Sequence, residues 1–271
     1  MPPDARTSTG IAYDRAGPAS RVPLVLIHAG VADRRMWEEL WPALSATRDV
    51  LRLDLRGFGG SVAPPEGQLS PVDDVLGSLS ELGIEHCHLV GASYGAGVAV
   101  ELALSKPALV ESLLLSAPGG SLMPELTPDL QSFFEAERTA LVKDDLNAAV
   151  EANLRYWVDG PRQPARRVAP EVRELVGRMQ RRAFELTADW DDLEEVELKP
   201  AALDRLTEVR SRTLVLLGEL DLEAIHRAAE RVSTEIPNAR LVRWSDTAHL
   251  PSMERPADFL ALLEDWLTEG S

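Results

Sequence analysis

The stretch Gly91-Ala92-Ser93-Tyr94-Gly95 narrows the choice of fold more than any other part of the chain. It joins the apolar run Cys87-His88-Leu89-Val90 to the small-residue run Ala96-Gly97-Val98-Ala99-Val100. A strand that turns sharply into a helix fits this pattern, and the glycines at 91 and 95 give such a turn the room it needs. Ser93 then stands in strained backbone geometry at a helix start. Free N–H groups and the positive end of the helix dipole face any oxygen that takes up negative charge there. This is the pattern of a nucleophile elbow, although glycine and serine also meet in strand-to-helix turns for packing reasons alone.

Around that turn, strand and helix signals alternate. Residues 11–14 read as a short edge strand, and 22–27, 50–55, 86–90 and 110–116 as buried strands. Helices are expected around 36–41, over 71–82, and from the turn to residue 105, where Pro107 stops the last of them. The class is therefore α/β, a mostly parallel sheet with helices on both faces. The alternation lapses between residues 121 and 205, far more chain than the dozen or so residues that a parallel crossover requires. Apolar positions there recur at helical spacing, as in Leu146, Ala149, Val150, Leu154 and Trp157, and again in Val172, Leu175, Val176, Met179, Ala183 and Leu186. An inserted helical cap over 121–205 is expected, dividing a core made of 1–120 and 206–271. Strands at 213–217 and 240–244 and helices at 223–235 and 256–267 resume the pattern.

The balance of 28 basic and 44 acidic side chains gives a net charge of −16, which argues against nucleic acid or an anionic membrane as partner. No apolar run is long enough for a membrane span, and the first residues lack the apolar segment of a signal peptide, so a cytoplasmic protein is expected. The single cysteine, Cys87, reads as a buried structural thiol. His86 and His88 share a strand face but lack a third ligand, so no metal is expected. The acidic stretch from Asp189 to Glu195 reads as a solvated surface.

A serine hydroxyl is a weak nucleophile at neutral pH. It needs a histidine to take its proton, and the histidine needs a carboxylate to fix its tautomer. In a parallel sheet these groups meet only beyond the carboxyl ends of the strands. Ser93 follows one such end, Asp221 follows the strand at 213–217, and His249 follows the strand at 240–244. Of the five histidines only His249 lies where the last strand passes into a loop, and the order Ser, Asp, His is the one expected after an elbow. Glu219, Glu223 and Asp246 compete with Asp221; Asp246 reads as a loop-capping residue. Stabilising the developing oxyanion requires two donors. The backbone N–H of Tyr94 and that of Gly30, in the turn after the strand at 22–27, are the candidates. His28 in that turn reads as a brace rather than a catalyst. Phe133, Phe134, Tyr156, Trp157 and Trp190 are candidates for a pocket lining or for the cap's own core; with Val31 and Leu250, Phe133 and Trp157 are the expected pocket residues.

Together, His28-Ala29-Gly30, Asp54-Leu55-Arg56-Gly57-Phe58-Gly59-Gly60-Ser61, Gly91-Ala92-Ser93-Tyr94-Gly95, Gly218-Glu219-Leu220-Asp221 and His249 to Pro256 resemble the α/β-hydrolase fold serine hydrolases over nearly the whole chain outside the cap. The resemblance implies an eight-stranded core, a Ser93-His249-Asp221 triad and no cofactor. Where the family usually has glycine after the histidine of the first motif, this chain has Ala29; if that residue shifts the turn, Val31 replaces Gly30 as donor. The expected chemistry is hydrolysis of a small or medium carboxylic ester, lactone or related acyl compound through an acyl-enzyme. By the same resemblance the scaffold also hosts carbon–carbon bond hydrolases, hydroxynitrile lyases and cofactor-free haloperoxidases. A non-catalytic ligand receptor could retain every motif as well.

Overall fold

The computed structural model describes residues 5–165, 167–190 and 193–269. Residues 1–4, and Asp191 and Asp192 of the acidic stretch, lie outside the described residues. Eight strands form one sheet: β1 (Ala5–Arg6), β2 (Ala12–Ala16), β3 (Leu24–Ile27), β4 (Val50–Leu53), β5 (Cys87–Ala92), β6 (Val110–Ser116), β7 (Arg212–Gly218) and β8 (Arg240–Trp244). Their order is β1-β2-β4-β3-β5-β6-β7-β8. The pairs β1/β2 and β2/β4 are antiparallel, and from β4 to β8 every pair is parallel. Every residue of β3 and of β4 is buried, as both faces of a helix-covered parallel sheet must be.

Nine helices accompany the sheet among the described residues. Before β7 come α1 (Trp41–Thr47), α2 (Pro71–Glu81), α3 (Tyr94–Ser105), α4 (Pro128–Val142), α5 (Leu146–Asn153) and α6 (Pro170–Thr187). After it come α7 (Glu223–Glu235), α8 (Pro251–Glu254) and α9 (Pro256–Thr268). None is long and apolar enough to cross a membrane. Helices occupy both stretches of helical spacing between β6 and β7: α5 runs into a π-helical turn, Leu154–Asp159, and α6 buries Val176, Met179 and Ala183, while Val172, Leu175 and Leu186 are half-buried.

Three local expectations differ from the structure. The helix expected around 36–41 is a 3₁₀ turn, Arg34–Trp37, in which the Asp33 side chain caps the Arg35 N–H; α1 begins only at Trp41, with Pro42 in its first turn. The strand expected to reach Leu55 ends at Leu53, because Asp54 turns inward to accept from the N–H groups of Arg34 (2.7 Å) and Gly60 (2.7 Å). The strand near residue 12 is not the edge, since β1 pairs outside it.

Register is what positions the site. Ile27 pairs with Gly91, Ala92 with Ser116, Ser116 with Leu216, and Gly218 with Trp244. The carboxyl ends of β3, β5, β6, β7 and β8 therefore finish level, and the turns that follow them line one edge of the sheet. The chain order reverses between β3 and β5, which opens a crevice at that edge.

Candidate active site

Ser93 sits between β5 and α3 at φ 51° and ψ −113°, a conformation that costs a non-glycine residue of order 1–3 kcal/mol and persists only where the surroundings enforce it. Its N–H donates to the Ser116 carbonyl (2.9 Å), and its own carbonyl accepts from Ala96 (2.8 Å) and Gly119 (3.2 Å). The flanking glycines are obligatory. A Cβ on Gly91 would lie 2.3 Å from the Gly95 carbonyl oxygen, and one on Gly95 would lie 2.6 Å from the carbonyl oxygens of both Ile27 and His28.

The β7 and β8 turns interlock in a similar way. A Cβ on Gly218 would lie 2.1 Å from the Ala248 carbonyl oxygen, and the N–H groups of Glu219 and Leu220 donate to the carbonyls of Trp244 and Thr247. This contact brings Asp221 under His249. Asp221 Oδ2 accepts from His249 Nδ1 (2.7 Å), its Oδ1 accepts from the Leu222 N–H (2.8 Å), and His249 Nε2 lies 2.7 Å from Ser93 Oγ. With Nδ1 carrying the proton toward Asp221, Nε2 is free to accept from the serine hydroxyl. His249 is 1% exposed and Asp221 5%, so the bond between them is shielded from water.

The competing groups are engaged elsewhere. Glu219 pairs with Arg243, Glu223 with Arg227, and Asp246, expected to cap its own loop, pairs with Arg255 at 2.8 Å. His28 braces the first turn as expected: its Nδ1 meets the Ala29 carbonyl (2.8 Å) and its Nε2 accepts from the Leu55 N–H (2.9 Å). Full burial pushes the His28 pKa below its usual value. Cys87 is buried, and desolvation pushes its thiol up to about 12. His86 faces Glu111, and His88 meets Ser112.

A cavity of about 600 Å³ opens over Ser93 and His249. Gly30, Val31 and Tyr94 border it at the sheet edge, and a Cβ on Gly30 would lie 3.5 Å from the Tyr94 Cβ, so both candidate oxyanion donors belong to its floor. The chain between β6 and β7 supplies the roof. Phe133 and Phe134 come from α4, Trp157 from the π-helical turn, Phe184 from α6, and Trp190 from the segment beyond it. The Trp157 ring lies 4.4 Å from the His249 ring, and Phe133 lies 5.1 Å from Trp157. Tyr156 packs against Phe133 instead of lining the cavity. Leu250, expected on the pocket wall, is fully buried and absent from the lining. It directly precedes α8, and its carbonyl accepts from the N–H groups of Met253 and Glu254, which ties it into the turn behind His249.

Sequence reasoning missed Arg167. Its guanidinium donates to the carbonyls of Asp159 (2.7 Å), Asp246 (2.9 Å) and Val158 (3.1 Å) and pairs with the buried Glu254, which accepts from the Ala248 N–H (2.9 Å). One side chain thus joins the roof to the loop that carries His249. No local pattern announces it, because its partners are backbone carbonyls that come together only in the fold.

The sequence profile of the alpha/beta hydrolase family matches residues 24–262. The chain belongs to that family. Among the relatives of this hydrolase, a 2-hydroxymuconate semialdehyde hydrolase of Pseudomonas sp. (strain CF600) is 30% identical over 92% of this chain and 87% of its own. A pimeloyl-[acyl-carrier protein] methyl ester esterase of Aeromonas hydrophila is 26% identical over 90% of this chain and 94% of its own. In fold the hydrolase is similar to the enol-lactonase of Burkholderia xenovorans LB400, with a TM-score of 0.77 at 23% identity, covering 98% of this chain and all of that one.

Proposed function

We propose that this hydrolase cleaves a small or medium carboxylic ester, lactone or related acyl compound through a Ser93-His249-Asp221 triad. The observation that carries the reading is the continuous hydrogen-bonded relay, 2.7 Å at each link, set under an apolar cavity. His249 Nε2 takes the Ser93 proton as Oγ attacks the acyl carbon. Asp221 holds Nδ1–H and stabilises the imidazolium that forms. The backbone N–H of Gly30 and of Tyr94 receive the developing oxyanion, each donor being worth about 3 kcal/mol of barrier. His249 then returns the proton to the leaving oxygen, and water activated by the same imidazole releases the acid. In this reading residues 121–205 form a cap over a core of 1–120 and 206–271, and the cap walls choose the acyl group.

A carbon–carbon bond hydrolase is the second reading, favoured by the 30% identity to a relative named for a semialdehyde substrate. A serine-directed fluorophosphonate tests both. Labelling at Ser93 with turnover of nitrophenyl esters supports the acyl hydrolase, whereas cleavage of a vinylogous diketone without ester turnover supports the second reading. Unlabelled Ser93 with undiminished ester turnover would sink the triad assignment.

A further inference from the structure

The cavity wall is mostly apolar, and one polar cluster on it lies on the roof. Glu137 lies one turn beyond Phe133 on α4, and both line the cavity. Asn153, at the end of α5, is 2% exposed and donates through Nδ2 to Glu137 Oε1 (2.5 Å) and to the Ala149 carbonyl (3.0 Å). Both N–H bonds of that amide are thereby used, and what it has left to offer is its oxygen. Gln180 of α6 stands on the same wall, more than nine-tenths buried, and its Oε1 has no hydrogen-bond partner among the described residues. Glu137 and Asn153, from two helices, therefore present oxygen acceptors to the cavity, while the Gln180 oxygen is enclosed away from it. An acceptor left unmatched away from water costs about 1–3 kcal/mol, so a donor-rich occupant is what these two oxygens suit.

Charge narrows the occupant further. Glu137 makes no ion pair among the described residues, and burial raises its pKa, which marks a carboxylate lacking a counter-charge. The other carboxylate on the wall, Glu195, accepts from the Tyr94 hydroxyl. Arg56, on the same wall, is already held by Asp74 and by the carbonyls of Ala63 and Thr9. Among the described residues of that wall, a substrate carboxylate would find no free cation. A primary ammonium brings three N–H donors and a positive charge, and the aromatic rings of Phe134 and Phe184 on the same lining suit a cation as well.

We propose that the Glu137-Asn153 pair is the subsite for a protonated primary amine at the far end of the acyl group, so that the preferred substrates are esters or lactone-derived acyl compounds of amino acids. The inference rests on the acyl-hydrolase reading and deepens it. Methyl esters of straight-chain ω-amino acids, the matching alkanoates and the matching ω-carboxy acids are compared at neutral pH across increasing chain length. At one length the amino ester exceeds its alkanoyl counterpart in kcat/KM by at least about tenfold, and the carboxy ester is the poorest of the three. Glu137→Gln abolishes the amino-over-alkanoyl ratio, and Gln180→Leu, which keeps the oxygens of Glu137 and Asn153 in place, preserves it. Equal rates for amino and alkanoyl esters at every length, or a preference that survives Glu137→Gln, overturn the subsite while leaving the triad standing. Should no ester turn over in a Ser93-dependent way, the acyl-hydrolase reading itself fails. n-Alkylamines added to Ser93→Ala give a second readout: they raise its Tm, alkanols of equal length do not, and an equal response to both also overturns the proposal.

Discussion

The sheet edge and the roof face each other across one cavity, and they are built on different rules. At the edge, the two buried histidines are matched: His249 is 1% exposed with both ring nitrogens engaged, and His28 is fully buried with both of its own engaged. On the roof, Glu137 lacks a counter-charge among the described residues, and the Asn153 amide, with both N–H bonds used, has its oxygen left over. A fixed reaction geometry needs the first arrangement, because each group must already point where charge develops. Recognition of a partner that comes and goes needs the second, because the missing bonds are the ones the substrate supplies.

The sharpest test of this contrast is to cut the edge at its reacting atom. Ser93→Ala is expected to lower kcat/KM on a nitrophenyl ester by about 10⁴-fold or more. The fold should survive, since alanine keeps the Cβ and loses about one hydrogen bond, a shift of roughly 2–4 °C in Tm. Activity above a hundredth of wild type would mean that the relay at the edge is not the reaction centre.

Next in size is the difference between the two buried histidines. His28 bridges the backbone of two turns, so His28→Leu orphans the Ala29 carbonyl and the Leu55 N–H, at about 1–3 kcal/mol each. His249→Leu leaves Asp221 buried but still accepting from Leu222, and abolishes turnover. Urea unfolding of both variants beside wild type decides the matter. If His249→Leu is the less stable of the two, the division between a bracing and a reacting histidine fails.

Legibility followed the same boundary. The helices at Glu223–Glu235 and Pro256–Thr268 and the strands Val110–Ser116 and Arg240–Trp244 were readable to within a residue or so, because parallel strands and their covering helices carry strong periodic signals. Ser93, Asp221 and His249 were readable because each follows a strand end, and register brings strand ends together. The roof resisted. Helical spacing in 146–157 and 172–186 identified helices without indicating which side faces the cavity, and nothing local linked Glu137 to Asn153 and Gln180. Leu250 was misplaced for a related reason, since adjacency to His249 in sequence put it behind the histidine, not beside the substrate.

A roof substitution should therefore move selectivity more than chemistry. Phe184→Ala removes an aromatic wall and is expected to change the ratio of kcat/KM between long and short acyl esters by about tenfold, mostly through KM. Equal losses on every chain length would shift the roof from substrate choice to support of the edge, the part that Arg167 already plays through Glu254.

The smallest effect is one of pH, and it separates the regions by sign. Burial depresses the folded-state pKa of His28, so below about 6.5 the unfolded chain takes up a proton that the folded protein refuses. Its contribution to stability is complete above that pH and declines as the pH falls, by at most about 1.4 kcal/mol per unit while His28 stays neutral in the fold. Glu137 and Glu254, raised by burial, act in the opposite direction: the folded state takes up their protons first, and stability grows as the pH falls through their folded values. Subtracting the Tm profile of His28→Leu from that of wild type between pH 7.5 and 5.5 isolates the histidine, and the difference should shrink toward acid. A difference constant across that range would show that His28 takes up its proton inside the fold as readily as in the unfolded chain.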